Sequence, residues 1–306
     1  MLEYNPEDAI LFLVFNRVDT TSEVFEAIKK AAPKKLYVAA DGPRNVDEYK
    51  KCKTVREIAT NIDWDCELKT LFRENNLGCK DAVSGAIDWF FEQEEFGIIL
   101  EDDCLPSSSF FGFCSVLLHK YKDDERVGHI GGSNFQNNIQ RGDGSYYFSR
   151  LTHVWGWAGW RRAWKKYDVN MSTFPYFKAD DLQNLPGHAP FKEIWYNNLK
   201  STYDGEINTW DYQLSYFNIV NNYLSIIPNQ NLIRNIGFGE GATHTIENHP
   251  FANLKTEEME TITHPVFFIT DVEADLFTQH IEYYQPPIKK KGLLSRSWKK
   301  FKGLWR

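Results

Sequence analysis

"FGIILEDDCLP", residues 96–106, runs a short apolar stretch into three consecutive acids and then a proline. Ile98-Ile99-Leu100 has the unbroken apolar character of a strand buried on both faces, so the acids are tied to the end of a buried element. Adjacent carboxylates repel one another unless a cation or hydrogen-bond donors neutralise them. Side chains alternate along a strand, which predicts Glu101 and Asp103 on one side and Asp102 on the other. Carboxylates without His or Cys suit Mg²⁺ or Mn²⁺, ions that take one or two protein oxygens and fill their shell with water and substrate phosphates. The plain alternative is a set of solvated loop acids.

The chain upstream sets the context. "AILFLVFNR" (9–17) is a second unbroken apolar run, "KLYVAADGP" (35–43) reads as a strand with a turn signal, and "CELKTLFRENNLG" (66–78) as a strand running into a loop. Between them "TTSEVFEAIKKAAP" (20–33), "DEYKKCKTVREIATNI" (47–62) and "KDAVSGAIDWFFEQE" (80–94) have helical spacing. Strands alternating with helices predict an α/β fold, with a mainly parallel sheet and helices on its faces. Such sheets bind ligands outside the carboxyl ends of their strands. Asn16 and Arg17, Asp41, Arg73 and Glu101-Asp102-Asp103 stand at four such ends. Asp41-Gly42-Pro43 and "RENNLG" (73–78) also serve as ordinary turn signals.

Downstream the pattern loosens. "RVGHIGGSNF" (126–135) reads as a strand and "LTHVWGWAGWRRAW" (151–164) as a Trp- and Gly-dense segment, suited to close packing or to a sugar platform. "TWDYQLSYFNIVNN" (209–222) reads as a helix, and "LSIIPNQNLIRNIGFGEGATHT" (224–245) as a strand followed by a Gly-rich loop. That loop is too loose for a phosphate-loop signature but suits a lid.

The 10 Trp, 15 Tyr and 22 Phe supply core and flat platforms for a flat ligand. The net charge of −7 hides an asymmetry, because residues 289–306 carry eight Lys and Arg and no acid, leaving −15 on the residues before them. An acidic body excludes nucleic acid as its main partner. The tail "KKKGLLSRSWKKFKGLWR" follows Pro286-Pro287 and places Leu294, Trp298, Phe301 and Trp305 on one helical face among basic residues. That describes a helix lying in an anionic membrane interface, with a solvated tail as the alternative. Five cysteines without a CxxC pair suit a reducing compartment, and no signal segment opens the chain. The expectation is a cytoplasmic protein held peripherally at the inner face of the membrane.

The Glu-Asp-Asp triplet after three β-α units resembles GT-A glycosyltransferases, and most nearly the N-acetylglucosaminyltransferase I type. "FNR" after the first strand, Asp41 after the second, the segment "THVWGWAGW" and a "WD" before a strand and Gly-containing loop come in the family's order. The resemblance covers about residues 9–245 and extends to bacterial sugar transferases of surface-polysaccharide synthesis. It implies a GT-A catalytic domain over 1–245, with a nucleotide half to about 125 and an acceptor half from 126. A C-terminal extension (246–288) would pack on it.

The resemblance also implies roles. Asp103 would be the sole protein ligand of the metal, Asp102 would hold the ribose hydroxyls and Glu101 would contact the donor sugar. Asp41 would accept from the uracil ring, Asn16 and Arg17 would lie near the nucleotide, and Arg73 would neutralise phosphates. Asp211 would be the base that deprotonates the acceptor hydroxyl, with Trp210 shaping the sugar pocket. Trp155, Trp157 and His244 would belong to the acceptor side or lid, although a lone His is also an ordinary structural residue. A base on the acceptor side implies inversion. The reaction implied moves a sugar from a UDP-sugar to a saccharide or lipid-linked acceptor. Family members in animals carry an N-terminal anchor, which this sequence does not show. Two other functions fit the same composition. A sugar nucleotidyltransferase wants glycines after the first strand, where "FNRVDTTSE" has none. A non-catalytic membrane-associated protein on a transferase fold would not need its acids.

Overall fold

The computed structural model describes residues 2–187, 189–238, 251–252 and 254–283. Its spine is a mixed eight-stranded sheet. The first half is β1 (Ile10–Val14), α1 (Val18–Ala31), β2 (Lys35–Ala40), α2 (Val46–Ala59), β3 (Glu67–Phe72), α3 (Gly78–Gln93) and β4 (Phe96–Glu101). The four strands lie parallel in the order β3-β2-β1-β4, with Leu13 of β1 level with Glu101 of β4. Alternation along β1 separates two cores. Ile10, Phe12 and Val14 pack with α1 and α2 on one face, and Leu11 and Leu13 with α3 on the other. Each large apolar side chain fully buried in this way contributes about 1.5–3 kcal/mol.

The chain then makes β5 (Cys104–Pro106), α4 (Ser108–Lys120), β6 (Val127–Gly131), β7 (Tyr146–Ser149), β8 (Trp157–Trp160) and the short α5 (Arg161–Trp164). It finishes with α6 (Ala189–Tyr203), α7 (Asp211–Val220), β9 (Leu224–Pro228), β10 (Ile233–Asn235) and α8 (Val272–Tyr283). The sheet continues from β4 through β8, β6, β9 and β7. β8 runs antiparallel to both neighbours and β7 antiparallel to β9. The α/β architecture expected from the sequence is therefore present, with the parallel rule confined to the first half and to the β6–β9 pair.

Several boundaries differ from the sequence reading. The second helix stops at Ala59, three residues short of the reading, while the third strand ends at Phe72 and runs into the 73–77 loop as read. The strand read as running to Asp103 stops at Glu101, and Asp102-Asp103 form a turn into β5. Alternation therefore does not govern the triplet. The Trp-Gly segment contains strand β8, whose core position makes close packing the reason for its composition.

The C-terminal segment is fastened at two places. The Glu258 carboxylate accepts from Ser108 N (3.0 Å) and Ser109 N (2.8 Å), capping α4. On α8, buried Asp275 accepts from Arg150 N (2.9 Å), and buried Gln279 accepts from Trp195 Nε1 (3.2 Å) while donating to the Pro186 carbonyl (2.7 Å). The tail read as a membrane helix, residues 289–306, lies outside the described residues. No helix among the described residues is long and apolar enough to cross a membrane.

Candidate active site

The carboxyl ends of β1, β2, β3 and β4 open on one cleft of about 480 Å³. Asn16, Arg17, Asp41, Arg73, Glu101, Asp102, Asp103, Trp155, Trp210 and Asp211 all line it. His244 lies outside the described residues. Trp157 does not reach the cleft. It is buried in β8, stacked between the His129 and Trp210 rings at 5.3 and 6.1 Å, so the acceptor-side or lid role considered for it is replaced by a core role.

The acids occupy the floor of the cleft. Asp102 Oδ2 accepts from Phe15 N (3.1 Å), tying the end of β4 to the end of β1. Burial and the neighbouring Asp103 push its carboxyl up to about 7, against the pull of Arg17 and the Phe15 amide. Glu101 is raised as well, by burial first and then by Asp103, Asp102 and Asp211. Asp103 forms an ion pair with the Arg17 guanidinium, and Asp102 Oδ1 lies 3.6 Å from the same nitrogen. Burial works against the charge on Arg17, but Asp103 and Asp102 more than offset it and hold the guanidinium charged. The turn is possible because β10 pairs with β5 and carries the chain back over the acids, with Ile236 N donating to the Asp103 carbonyl (2.8 Å). Gly237 follows directly, and a Cβ there would stand 2.9 Å from both Arg17 Nη1 and Asp103 Cβ.

The other cleft residues hold one another in place. Asp41 Oδ1 accepts from Gly42 N (2.9 Å) and Leu77 N (3.0 Å), and Oδ2 from Asn76 Nδ2 (2.8 Å) and Gly78 N (3.1 Å). Its carboxylate thus caps the N-terminus of α3 and shapes the 73–77 loop. Gly42 is needed there, because a Cβ would come within 2.7 Å of the Asn75 backbone N and O. Asn16 donates its amide to Glu48 (3.0 Å), and Glu48 also binds Arg44, which lies over the Phe15 ring at 5.3 Å. Arg73 is half-buried in the cleft, and no carboxylate pairs with its guanidinium among the described residues.

Asp211 is the first residue of α7. Its Oδ1 accepts from Thr209 Oγ1 and from Tyr212 N (2.9 Å), and Oδ2 takes no hydrogen bond among the described residues. Trp210 beside it is buried against Trp157 while still forming part of the wall. Arg44, Asn76, Cys79, Thr209 and Asn235 also line the cleft and were not singled out by the sequence reading. Gly237 was visible only as the start of the Gly-rich stretch.

The acids offer oxygen only, which suits a hard divalent ion. Among the described residues no three His, Cys, Asp or Glu side chains are grouped to enclose one. A guanidinium already rests against Asp103 and Asp102, so the position attracts positive charge. Such a set fits an ion held by Asp103 and completed by water and phosphate oxygens, and does not fit an all-protein cage.

No family model matches the chain, and no curated protein matches it. Among solved structures it is similar to HddC from Yersinia pseudotuberculosis, with a TM-score of 0.34 and 8% identity over 56% of this chain and 87% of that one. It is also similar to residues 1–349 of TarS from S. aureus, with a TM-score of 0.42 and 9% identity over 74% of this chain and 59% of that one. Likenesses this slight bear on neither activity nor substrate.

Proposed function

We propose that the protein is an inverting, metal-dependent glycosyltransferase that moves a sugar from a nucleotide-sugar, a UDP-sugar by the family resemblance, to a saccharide or lipid-linked saccharide. The observation that carries this reading is the convergence on one cleft of a carboxylate triplet, three arginines (Arg17, Arg44 and Arg73) and a separate carboxylate, Asp211, on another element. Mn²⁺ or Mg²⁺, when bound, supplies positive charge to the diphosphate as it leaves. Asp103 is the residue that would hold it. Arg73 and Arg17 are the protein's own cations for the departing diphosphate, placed where negative charge develops. Asp102 would hold the ribose hydroxyls and Glu101 would contact the donor sugar, while Asp41 fixes the loop between Arg73 and α3.

Asp211 takes the proton of the acceptor hydroxyl. Thr209 and the Tyr212 amide anchor its Oδ1 and leave Oδ2 for that hydroxyl. The acceptor oxygen forms the new bond to the anomeric carbon. The bond to the diphosphate breaks from the opposite face, and its electron pair leaves with the phosphate oxygen. Trp155 and Trp210 are the cleft aromatics available to a sugar ring. The basic amphipathic segment 289–306 would hold the enzyme to an anionic membrane surface, where lipid-linked acceptors of surface-polysaccharide synthesis are found.

Calorimetric titration of a panel of nucleoside diphosphates, with and without Mn²⁺, tests this on the wild type and Asp103→Ala. Mn²⁺-dependent UDP binding that is lost in the variant is the expected result. Absence of any nucleotide binding to the wild type refutes the proposal.

A further inference from the structure

We infer that Arg17 is a built-in counter-cation that keeps the Asp103 site closed to metal until a nucleoside diphosphate draws the guanidinium away. The inference rests on the transferase reading and adds an order of events to it. Three observations carry it. The Arg17 guanidinium makes an ion pair with Asp103 and lies 3.6 Å from Asp102, so it takes the charge-compensating position of a divalent ion. The pair is largely withdrawn from solvent, with side-chain exposures of 24% for Arg17 and 14% for Asp103, so screening does little to weaken it. The backbone turns tightly over it at Gly237, where a Cβ would stand 2.9 Å from both Arg17 Nη1 and Asp103 Cβ, so on that side the pair is closed off and the guanidinium itself covers the paired Asp103 oxygen toward the cleft.

A diphosphate entering the same cleft offers Arg17 an alternative anion with geometry suited to its planar fork. Arg17 immediately precedes α1 and its backbone carbonyl accepts from Thr21 N (3.1 Å), so the backbone stays fixed while the side chain swings. Moving the guanidinium from carboxylate to phosphate uncovers Asp103 and places a positive charge on the leaving group. Metal and nucleotide then bind with positive coupling, and the coupling is reciprocal. Mn²⁺ alone binds weakly.

The test is titration of the nucleotide-free full chain with Mn²⁺, followed by the EPR signal of free Mn²⁺, for wild type, Arg17→Gln and Arg17→Lys. Removing a unit positive charge at this distance is expected to tighten Mn²⁺ binding about tenfold in Arg17→Gln. Arg17→Lys keeps the charge and is expected to stay near wild type. With UDP present, the gain in Mn²⁺ affinity should be about tenfold smaller in Arg17→Gln than in wild type. Equal Mn²⁺ affinity of wild type and Arg17→Gln without nucleotide overturns the inference, as does equal tightening in Arg17→Lys, which would indicate mere loosening. Either result leaves the transferase reading standing if UDP still binds with Mn²⁺. Absence of UDP binding to the wild type overturns both. A readout on the wild type alone is crystallographic. Mn²⁺ alone should leave the Arg17–Asp103 pair in place, and Mn²⁺ with UDP should show Arg17 on the diphosphate. A displaced Arg17 with Mn²⁺ alone refutes the inference even if the variants fail to fold.

Discussion

Replacing Asp41 by Asn separates two roles that a turn acid lining the cleft can have. The carboxylate accepts from three backbone amides, Gly42, Leu77 and Gly78, and from the Asn76 side chain. Asn keeps the shape but presents an NH₂ where one oxygen received Asn76 and Gly78. Hydrogen bonds to a charged acceptor are worth about 1.5–3 kcal/mol and neutral ones about 0.5–1.5 kcal/mol. The charge also faces the N-terminus of the 16-residue α3, a contribution of about 0.3–1 kcal/mol at an exposed end. Leu77 is exposed, so the lower end of each range applies. A total loss of about 2–3 kcal/mol is expected, which in a chain of this size lowers Tm by about 3–5 °C. Hydrogen exchange should show the amides of Leu77 and Gly78 opening first. An Asp41→Asn protein with unchanged Tm and unchanged exchange that has lost nucleotide binding would refute the capping argument, and would make Asp41 a direct ligand contact.

Four further outcomes are expected. Gly237→Ala should displace Asp103 and Arg17 and weaken Mn²⁺-dependent UDP binding at least tenfold, while thermal melting moves little; calorimetry decides it. Asp211→Asn should lower kcat by about 10²–10⁴-fold with UDP affinity unchanged, and a matching loss of affinity would argue against a base role. Asp275→Asn should change how stability depends on pH. Burial raises the Asp275 carboxyl to about 6, so between its unfolded value near 3.8 and pH 6 the folded state holds the extra proton. That stability is present at low pH and is lost as pH rises through 6. Urea titrations should therefore show a slope about 1.4 kcal/mol per pH unit more positive in the variant across this window, and parallel slopes would contradict it. Deleting 289–306 should abolish sedimentation with vesicles containing phosphatidylserine, and retention of binding would remove the membrane role.

The first half of the molecule was legible because three of its four strands, β1, β2 and β4, are local apolar runs, and helix-spaced segments separate the strands. Parallel pairing then forces every strand end to the same edge, which is why Arg17, Asp41, Arg73 and the acids meet. The second half was harder to read because β8 runs the other way. In an antiparallel strand it is the residues before the strand that reach the cleft, so Trp155 lines it while Trp157, two residues on, is buried in the sheet. Nothing local in "THVWGWAGW" distinguishes the two tryptophans. β7, α6 and α8 were missed for a related reason. Their faces are completed by residues far along the chain, such as Gln279 against Trp195 and Asp275 against Arg150.

The clasp formed by residues 254–283 bears on how the protein could be cut down or fused. Glu258 satisfies two amides at the start of α4, one short strand after the acid-bearing turn, and α8 inserts Asp275 and Gln279 against Arg150 after β7, Pro186 and Trp195 of α6 in the other half. A truncation after β10 would look economical on a sequence map, yet it would strip a helix cap from one half and open a polar-lined trench in the other. The minimal folded unit therefore includes α8. A reporter or partner domain is better tolerated after Tyr283 than anywhere upstream, since the chain by then has already locked both halves together.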